Sequence, residues 1–277
     1  MITIIYLKTF KLSDKKILNN NIYPYNVLKN KEPDVFVFDN ITILYGNNGS
    51  GKSTILNIIA HKLNLKGKER NNPNIPGMLD YFEDYSNDCK YELGENENNK
   101  KYNKIPENSR YLKSEEILYE IRKIQQDKVL EESYVSNLVR SGVKVDDAKK
   151  LLDDIEGQKQ LDRFRYAQEK YSNGETTLQI LEEYIEPDNL YLLDEPEVSL
   201  SPQKQVELAK EINKMSRYLD VQFIIATHSP FMLGILDAKI YNLDTSNYKA
   251  QKWSELENVR YFYDFFKERM GEFEKFN

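Results

Sequence analysis

Only one cysteine, Cys89, occurs in the 277 residues. A lone thiol excludes an intramolecular disulfide and points to a reducing compartment, so a cytoplasmic location is expected. Long apolar runs are missing as well. No stretch approaches the roughly 18 to 20 residues needed to span a bilayer. The apolar start, residues 1–9, carries Lys8 and is too short for a secretory signal core. Any membrane role would need a separate subunit. Positive charge is not in excess: the formal net charge is -6, which gives no general attraction to nucleic acid. Histidine occurs twice, so proton transfer by imidazole is confined to His61 and His228. No nuclease-like cluster of acids and histidines is present. What is plentiful is tyrosine, 20 residues, within 12% aromatic and 30% charged residues. That is the composition of a soluble folded domain, and the length suits one large domain or a domain with an insertion.

Residues 1–6 are rich in β-branched side chains and predict a first strand. Residues 35–38 and 41–45 predict two more, with Asp39-Asn40 turning between them. A glycine-rich loop follows at once, then a helix over 53–63. Residues 67–107, rich in Asn, Lys, Glu and Tyr and interrupted by Pro73, Pro76 and Pro106, predict an irregular or hairpin-rich insertion. Residues 114–139 and 145–168 predict two charged helices, read as a solvated helical subdomain or as a partner-binding arm. Beyond Ser172, helices over 176–185 and 202–218 alternate with apolar strands over 190–193, 223–226 and 240–243. Buried strands alternating with helices predict a mostly parallel sheet covered on both faces.

The loop Gly46-Asn47-Asn48-Gly49-Ser50-Gly51-Lys52-Ser53 fits G-x-x-x-x-G-K-[ST] in full. Its glycines let the backbone curl so that successive N–H groups face phosphate oxygens, and the next helix aims its positive end at the same charge. Lys52 is expected to reach the β- and γ-phosphates, the Ser53 hydroxyl to ligate magnesium, and Thr54 to assist at the phosphate. The apolar run Leu190-Tyr191-Leu192-Leu193 ends in Asp194-Glu195-Pro196. A strand buried on both faces delivers its C-terminal side chains to the ligand crevice of an open α/β sheet. Asp194 is then placed to hold magnesium and Glu195 to polarise the attacking water. His228 ends the run Phe223-Ile224-Ile225-Ala226-Thr227 and is aimed at the same edge. It is a candidate for the γ-phosphate or the attacking water, or else an ordinary hydrogen-bonded imidazole in a turn. His61, late in a helix, is assigned no role. Ser172-Asn173-Gly174-Glu175 precedes a helix and is either a cap or an anion site.

In this order the motifs resemble the ABC-type ATPases, within them the small stand-alone "predicted ATPase" proteins (AAA family ATPases) related to the RecF- and SMC-like branch. The phrases Leu193-Asp194-Glu195-Pro196-Glu197-Val198-Ser199-Leu200-Ser201-Pro202 and Ile225-Ala226-Thr227-His228-Ser229-Pro230 carry the resemblance most strongly. It implies a P-loop NTPase fold of the ABC type: an ATPase core over residues 1–66 and 168–277, and a helical or irregular insertion over 67–167. It makes Gly46 to Ser53 the Walker A loop, Ser172, Gly174 and Glu175 part of the signature motif, and Tyr191 to Glu195 the Walker B strand. Ser199 to Pro202 become the D-loop and His228 the switch histidine. Two departures stand out. Asn173 and Glu175 replace the Gly and Gln of the transporter signature, and no Q-loop glutamine is evident, Glu115 being the candidate there. Tyr23 and Tyr25 are candidates for stacking on adenine, or packed core residues.

The resemblance implies a soluble ATPase that takes ATP and magnesium, hydrolyses ATP, and forms an ATP-dependent head-to-tail homodimer. In that dimer the second chain's Ser172 to Glu175 turn caps the γ-phosphate. The process implied is DNA repair or defence against foreign nucleic acid, so nucleic acid is a candidate partner. The alternatives are the nucleotide-binding subunit of a membrane transporter and an ATP-gated regulator of a toxin or nuclease partner. Lys62, Lys66, Lys68 and Arg70 form a basic cluster, read as a solvated helix end or as a nucleic-acid patch.

Overall fold

Two sheets are built from strands of opposite character. In chain order the elements are β1 (Leu7–Lys11), α1 (Tyr25–Leu28), β2 (Phe36–Val37), β3 (Ile41–Tyr45), α2 (Lys52–Lys62), α3 (Tyr81–Asp88), β4 (Lys90–Leu93) and β5 (Arg110–Lys113). After these come β6 (Leu190–Asp194), α4 (Pro202–Tyr218), β7 (Gln222–Thr227), α5 (Pro230–Ile235), β8 (Lys239–Asn242), a 3-10 turn at Trp253–Glu255, α6 (Glu257–Glu268) and α7 (Met270–Phe273). They come from a computed structural model that describes residues 4–17, 19, 21–29, 31, 35–69, 80–95, 100–114 and 185–273. These residues fall in one compact unit, Met1–Ser114 with Ile185–Asn277. Apart from Ser114 and Ile185, the helices expected across 114–139, 145–168 and 176–185 lie on residues 115–184, outside the described residues, as do the Ser172–Glu175 turn and Glu115.

The central sheet runs β5-β6-β7-β3-β8, and every pairing in it is parallel. All residues of β3, β6 and β7 are buried, as their nearly continuous apolar sequence requires of strands covered on both faces. The fold is therefore the α/β, mostly parallel sheet flanked by helices that the alternating pattern predicts. β5 lies inside the expected 67–167 insertion, yet it is the edge strand beside β6. The smaller sheet, β2-β1-β4, is antiparallel.

Two local expectations change. The first strand among the described residues runs over Leu7–Lys11; of the strand expected over 1–6, residues 1–3 lie outside the described residues, and the Tyr6 and Leu7 N–H groups donate to the side chain of Gln222, each at 2.9 Å. Within the stretch expected to be irregular, residues 81–88 form a helix. Asp80 caps it by accepting from the N–H groups of Phe82 and Glu83, at 3.1 and 2.9 Å, while Phe82 and Tyr85 anchor it in the core.

Gln222 ties the two sheets together. It is fully buried, accepts the two bonds above, and donates to Leu7 O at 2.9 Å and Asp39 O at 3.1 Å. Gln222→Leu strands these main-chain groups away from water. A loss of about 3 kcal/mol in stability is expected, measured as a lower urea midpoint at unchanged slope.

Candidate functional site

The parallel order brings the C-terminal ends of β3, β6 and β7 to one edge, where the loop from β3 into α2 lies. Gly51 has φ +100 and Gly49 φ +81, so the curl uses left-handed backbone that a side chain would strain. At Gly46 the constraint is space: a Cβ there would meet Ser50 Oγ at 2.4 Å. Lys52 is buried and folds back onto the loop, its Nζ donating to Gly46 O at 2.8 Å and approaching Asn47 O at 3.4 Å. Asn47, Asn48 and Gly49 are exposed, Ser53 is exposed and Thr54 half-buried. Ser50 Oγ is buried without a partner among the described residues.

Both acids at the end of β6 meet this loop. Ser53 donates to Asp194 Oδ1 at 3.1 Å, and Lys52 Nζ lies 3.5 Å from Glu195 Oε1. His228 Nδ1 is 3.2 Å from the same Glu195 oxygen. Glu195 sits at φ +49, and its N–H donates to Ala226 O at 2.9 Å, which fixes the turn against β7. Burial pushes the Asp194 carboxyl above its ordinary range, opposed by hydrogen bonds from Ser53 and Tyr111. The pair of hard oxygens on Ser53 and Asp194, next to the glycine-rich loop, fits magnesium, which takes one or two protein oxygens and completes its shell with phosphate and water.

Four contributors escape sequence reasoning. Tyr111, on β5, donates from its buried hydroxyl to Asp194 Oδ2 at 3.0 Å, leaving Oδ1 to Ser53. Asp244, just past β8, accepts from the Asn47 N–H at 3.0 Å and from the Asn47 side chain at 3.1 Å. Asn258, in the first turn of α6, donates to Asn47 Oδ1 at 3.0 Å. Glu197 is buried beneath the acidic turn. One of its oxygens accepts from Thr227 Oγ1, while Oε2 has no partner among the described residues. Thr227 Oγ1 in turn accepts from the Ser229 N–H at 3.0 Å, and Ser229 caps α5. This chain of bonds joins the turn after β6 to the loop that carries His228.

Burial pushes the Glu197 carboxyl up, against the Thr227 hydrogen bond. A carboxyl raised on folding favours the native state below its unfolded value, and that contribution is lost as pH climbs through the folded value. As pH rises above about 4, the ordinary glutamate range, wild type should therefore lose stability that Glu197→Gln keeps. Thermal melts from that pH upward test this, and parallel curves for the two proteins would refute it.

The remaining sequence candidates separate. Tyr25 is buried, edge-on to Tyr85 at 5.0 Å, and belongs to the core. Tyr23 is partly exposed and stacks on Phe82 at 5.4 Å. His61 bonds Glu69 O at 2.6 Å and packs against Phe82, with burial lowering its pKa. Of the basic cluster, Lys62, Lys66 and Lys68 each bond a neighbouring asparagine, and Arg70 lies outside the described residues. Ser201 caps α4 where the D-loop was expected. Among the described residues no helix is long and apolar enough to cross a membrane.

Comparison with known proteins finds one family match, over part of the chain. The family described as "AAA domain, putative AbiEii toxin, Type IV TA system" matches residues 98–234, a range that includes Tyr111, the acidic pair and His228. No curated protein matches the chain. Among solved structures, the SMC head domain from Thermotoga maritima is similar at 15% identity and a TM-score of 0.41, over 86% of this chain and 94% of that one. An Smc head domain bound to the C-terminal domain of ScpA, from Pyrococcus furiosus, is similar at 15% identity and 0.44, over 95% and 99%. CbiO1 from Clostridium perfringens, part of an ABC transporter complex, is similar at 14% identity and 0.43, over 97% of each chain. Residues 98–234 thus match an AAA-family domain, and the match includes the acidic pair at the end of β6 that faces the glycine-rich loop between β3 and α2.

Proposed function

We propose that the chain binds ATP with magnesium between the phosphate loop and the acidic pair, and hydrolyses it. The observation that carries this is the meeting of the two motifs: Lys52 within 3.5 Å of Glu195, and Ser53 within 3.1 Å of Asp194. Gly46 to Thr54 cradle the triphosphate, with Lys52 exchanging its present carbonyl partners for phosphate oxygens. Ser53 and Asp194 hold the metal. A magnesium ion held by these two side chains would supply charge stabilisation to the phosphate oxygens. Glu195 orients and deprotonates the attacking water, and His228 bonds that water or the γ-phosphate.

A second copy of the chain completes the site. Its Ser172, Gly174 and Glu175 cap the γ-phosphate from the far side, so that ATP acts as a ligand favouring a closed head-to-tail dimer. Closure excludes water and finishes the charge cradle. The dimer switches state on hydrolysis and works in DNA repair or defence against foreign nucleic acid. The description of the matched family, which names a toxin of a type IV TA system, keeps a second reading in view: an ATP-gated toxin or regulator of one.

Phosphate release from ATP, with and without magnesium and with added double-stranded DNA, single-stranded DNA or RNA, tests both levels. Magnesium-dependent release is expected, faster with one of the nucleic acids. No release at all would end the hydrolysis reading. Release that ignores every nucleic acid would favour the toxin-linked one.

A further inference from the structure

The most anomalous surface lies away from the nucleotide site. From Arg260 to Phe273, through α6 and α7, every residue is exposed. Of α6 only Val259 is buried. Yet this stretch is among the most aromatic in the chain. Phe262 and Phe266 are 45% and 53% exposed, and Tyr263, Phe265, Met270 and Phe273 are exposed with them. A helix of about 12 residues is marginal in water without a covered face, and a contiguous apolar surface of this kind marks an interaction site.

The pattern on the helix defines its partner. Val259, Phe262, Phe266, Met270 and Phe273 recur three or four residues apart, which gathers them into one seam of the kind that pairs helices. Charged side chains border the seam. Arg269 lies 4.2 Å over the Phe265 ring, and Arg260 and Lys267 lie over Tyr263 at 5.0 and 5.6 Å. Acids and bases nearly balance over residues 257–273: Glu257, Asp264, Glu268 and Glu272 against Arg260, Lys267 and Arg269. A near-neutral border selects neither an anionic membrane nor nucleic acid, and it can meet a copy of itself without net repulsion. The four exposed seam side chains and the flanking Tyr263 and Phe265 offer roughly 100 Å² each. Two copies would then bury about 1,200 Å², the lower end of what a specific interface needs.

We infer that α6 and α7 pair with the same helices of a second copy, seam to seam about a two-fold axis. This contact needs no nucleotide and is separate from the ATP-driven dimer proposed above. One link to the site exists, because Asn258 at the start of α6 holds Asn47 of the phosphate loop.

Sedimentation of the nucleotide-free full chain from about 1 to 100 μM is the test. A dimer dissociating in the micromolar range is expected, and Phe262→Glu with Phe266→Glu should weaken it at least 100-fold while circular dichroism and thermal stability stay unchanged. A second readout covers the case in which the double variant misfolds. The single native thiol, Cys89, is buried, so Phe266→Cys under mild oxidation should give a cross-linked dimer that wild type does not give. A wild-type chain monomeric at 100 μM overturns the inference, as does a dimer indifferent to the double variant, and so does Phe266→Cys that stays uncross-linked. Binding of the monomer to phosphatidylglycerol vesicles through this helix would assign the face to lipid instead and equally overturn it. None of these outcomes depends on ATP, so the ATP-driven dimer stands or falls by separate measurements.

Discussion

Lys52→Ala is expected to lose at least 100-fold in ATP affinity, about 2.8 kcal/mol. The lysine is buried where the phosphate loop turns into α2, and its ammonium group holds two loop carbonyls and faces Glu195. Those contacts pre-position a cation where triphosphate oxygens would arrive, and each charge-assisted bond is worth roughly 1.5 to 3 kcal/mol. Truncation removes that charge and leaves Glu195 facing the incoming phosphates alone, so the two effects add. Cost to the fold should be small, because Glu195 is partly exposed and keeps His228 as a partner. Calorimetric titration of MgATP into wild type and variant reads the loss, with circular dichroism as the control for folding. Equal affinities would remove the phosphate-loop assignment and with it the proposed function.

The parts of this site that were legible in the sequence are the local ones. Gly46 to Ser53 is contiguous, and its geometry follows from its own glycines. Asp194 and Glu195 close an apolar run whose burial on both faces can be read directly, and the same holds for His228. Helix α4 begins at Pro202 and ends at Tyr218 as the pattern predicts, because Ser201 caps it and Pro202 is pre-set for a first turn.

What could not be read depends on strand order. Tyr111 reaches Asp194 only because β5 lies beside β6, with Lys113 opposite Asp194. Asp244 reaches Asn47 only because β8 lies beside β3, with Asn242 opposite Tyr45. Both side chains look like ordinary surface or core residues until the sheet is assembled. Glu197 is hidden for another reason. In sequence it is one more acid in a charged turn, and only the packing of that turn on β7 buries it against Thr227. The rule that ligands gather outside the C-terminal ends of parallel strands would have flagged Asp244, which follows β8 directly.

Glu195→Gln should bind ATP, slow hydrolysis by about 1,000-fold, and accumulate as a dimer. The substitution is close to isosteric, and it changes neither the Cβ nor the left-handed φ of +49 at this position, so the turn against Ala226 should persist. What it removes is the carboxylate that can take a proton from water. It also removes a negative charge 3.5 Å from Lys52, which frees the ammonium for phosphate and should tighten ATP binding. If ATP bridges two chains, blocking its breakdown traps the bridge. Gel filtration with light scattering in MgATP should then show the variant doubling in mass, while wild type returns to its starting mass as ATP is consumed. Adding Ser172→Arg to the same chain should restore the starting mass, because it would obstruct the cap supplied by the second copy. A Glu195→Gln chain that binds ATP without changing mass would leave the phosphate chemistry standing and eliminate the sandwich. A variant that hydrolyses at the wild-type rate would instead transfer the role of base to another group, and His228, 3.2 Å from the same oxygen, is the one placed to take it.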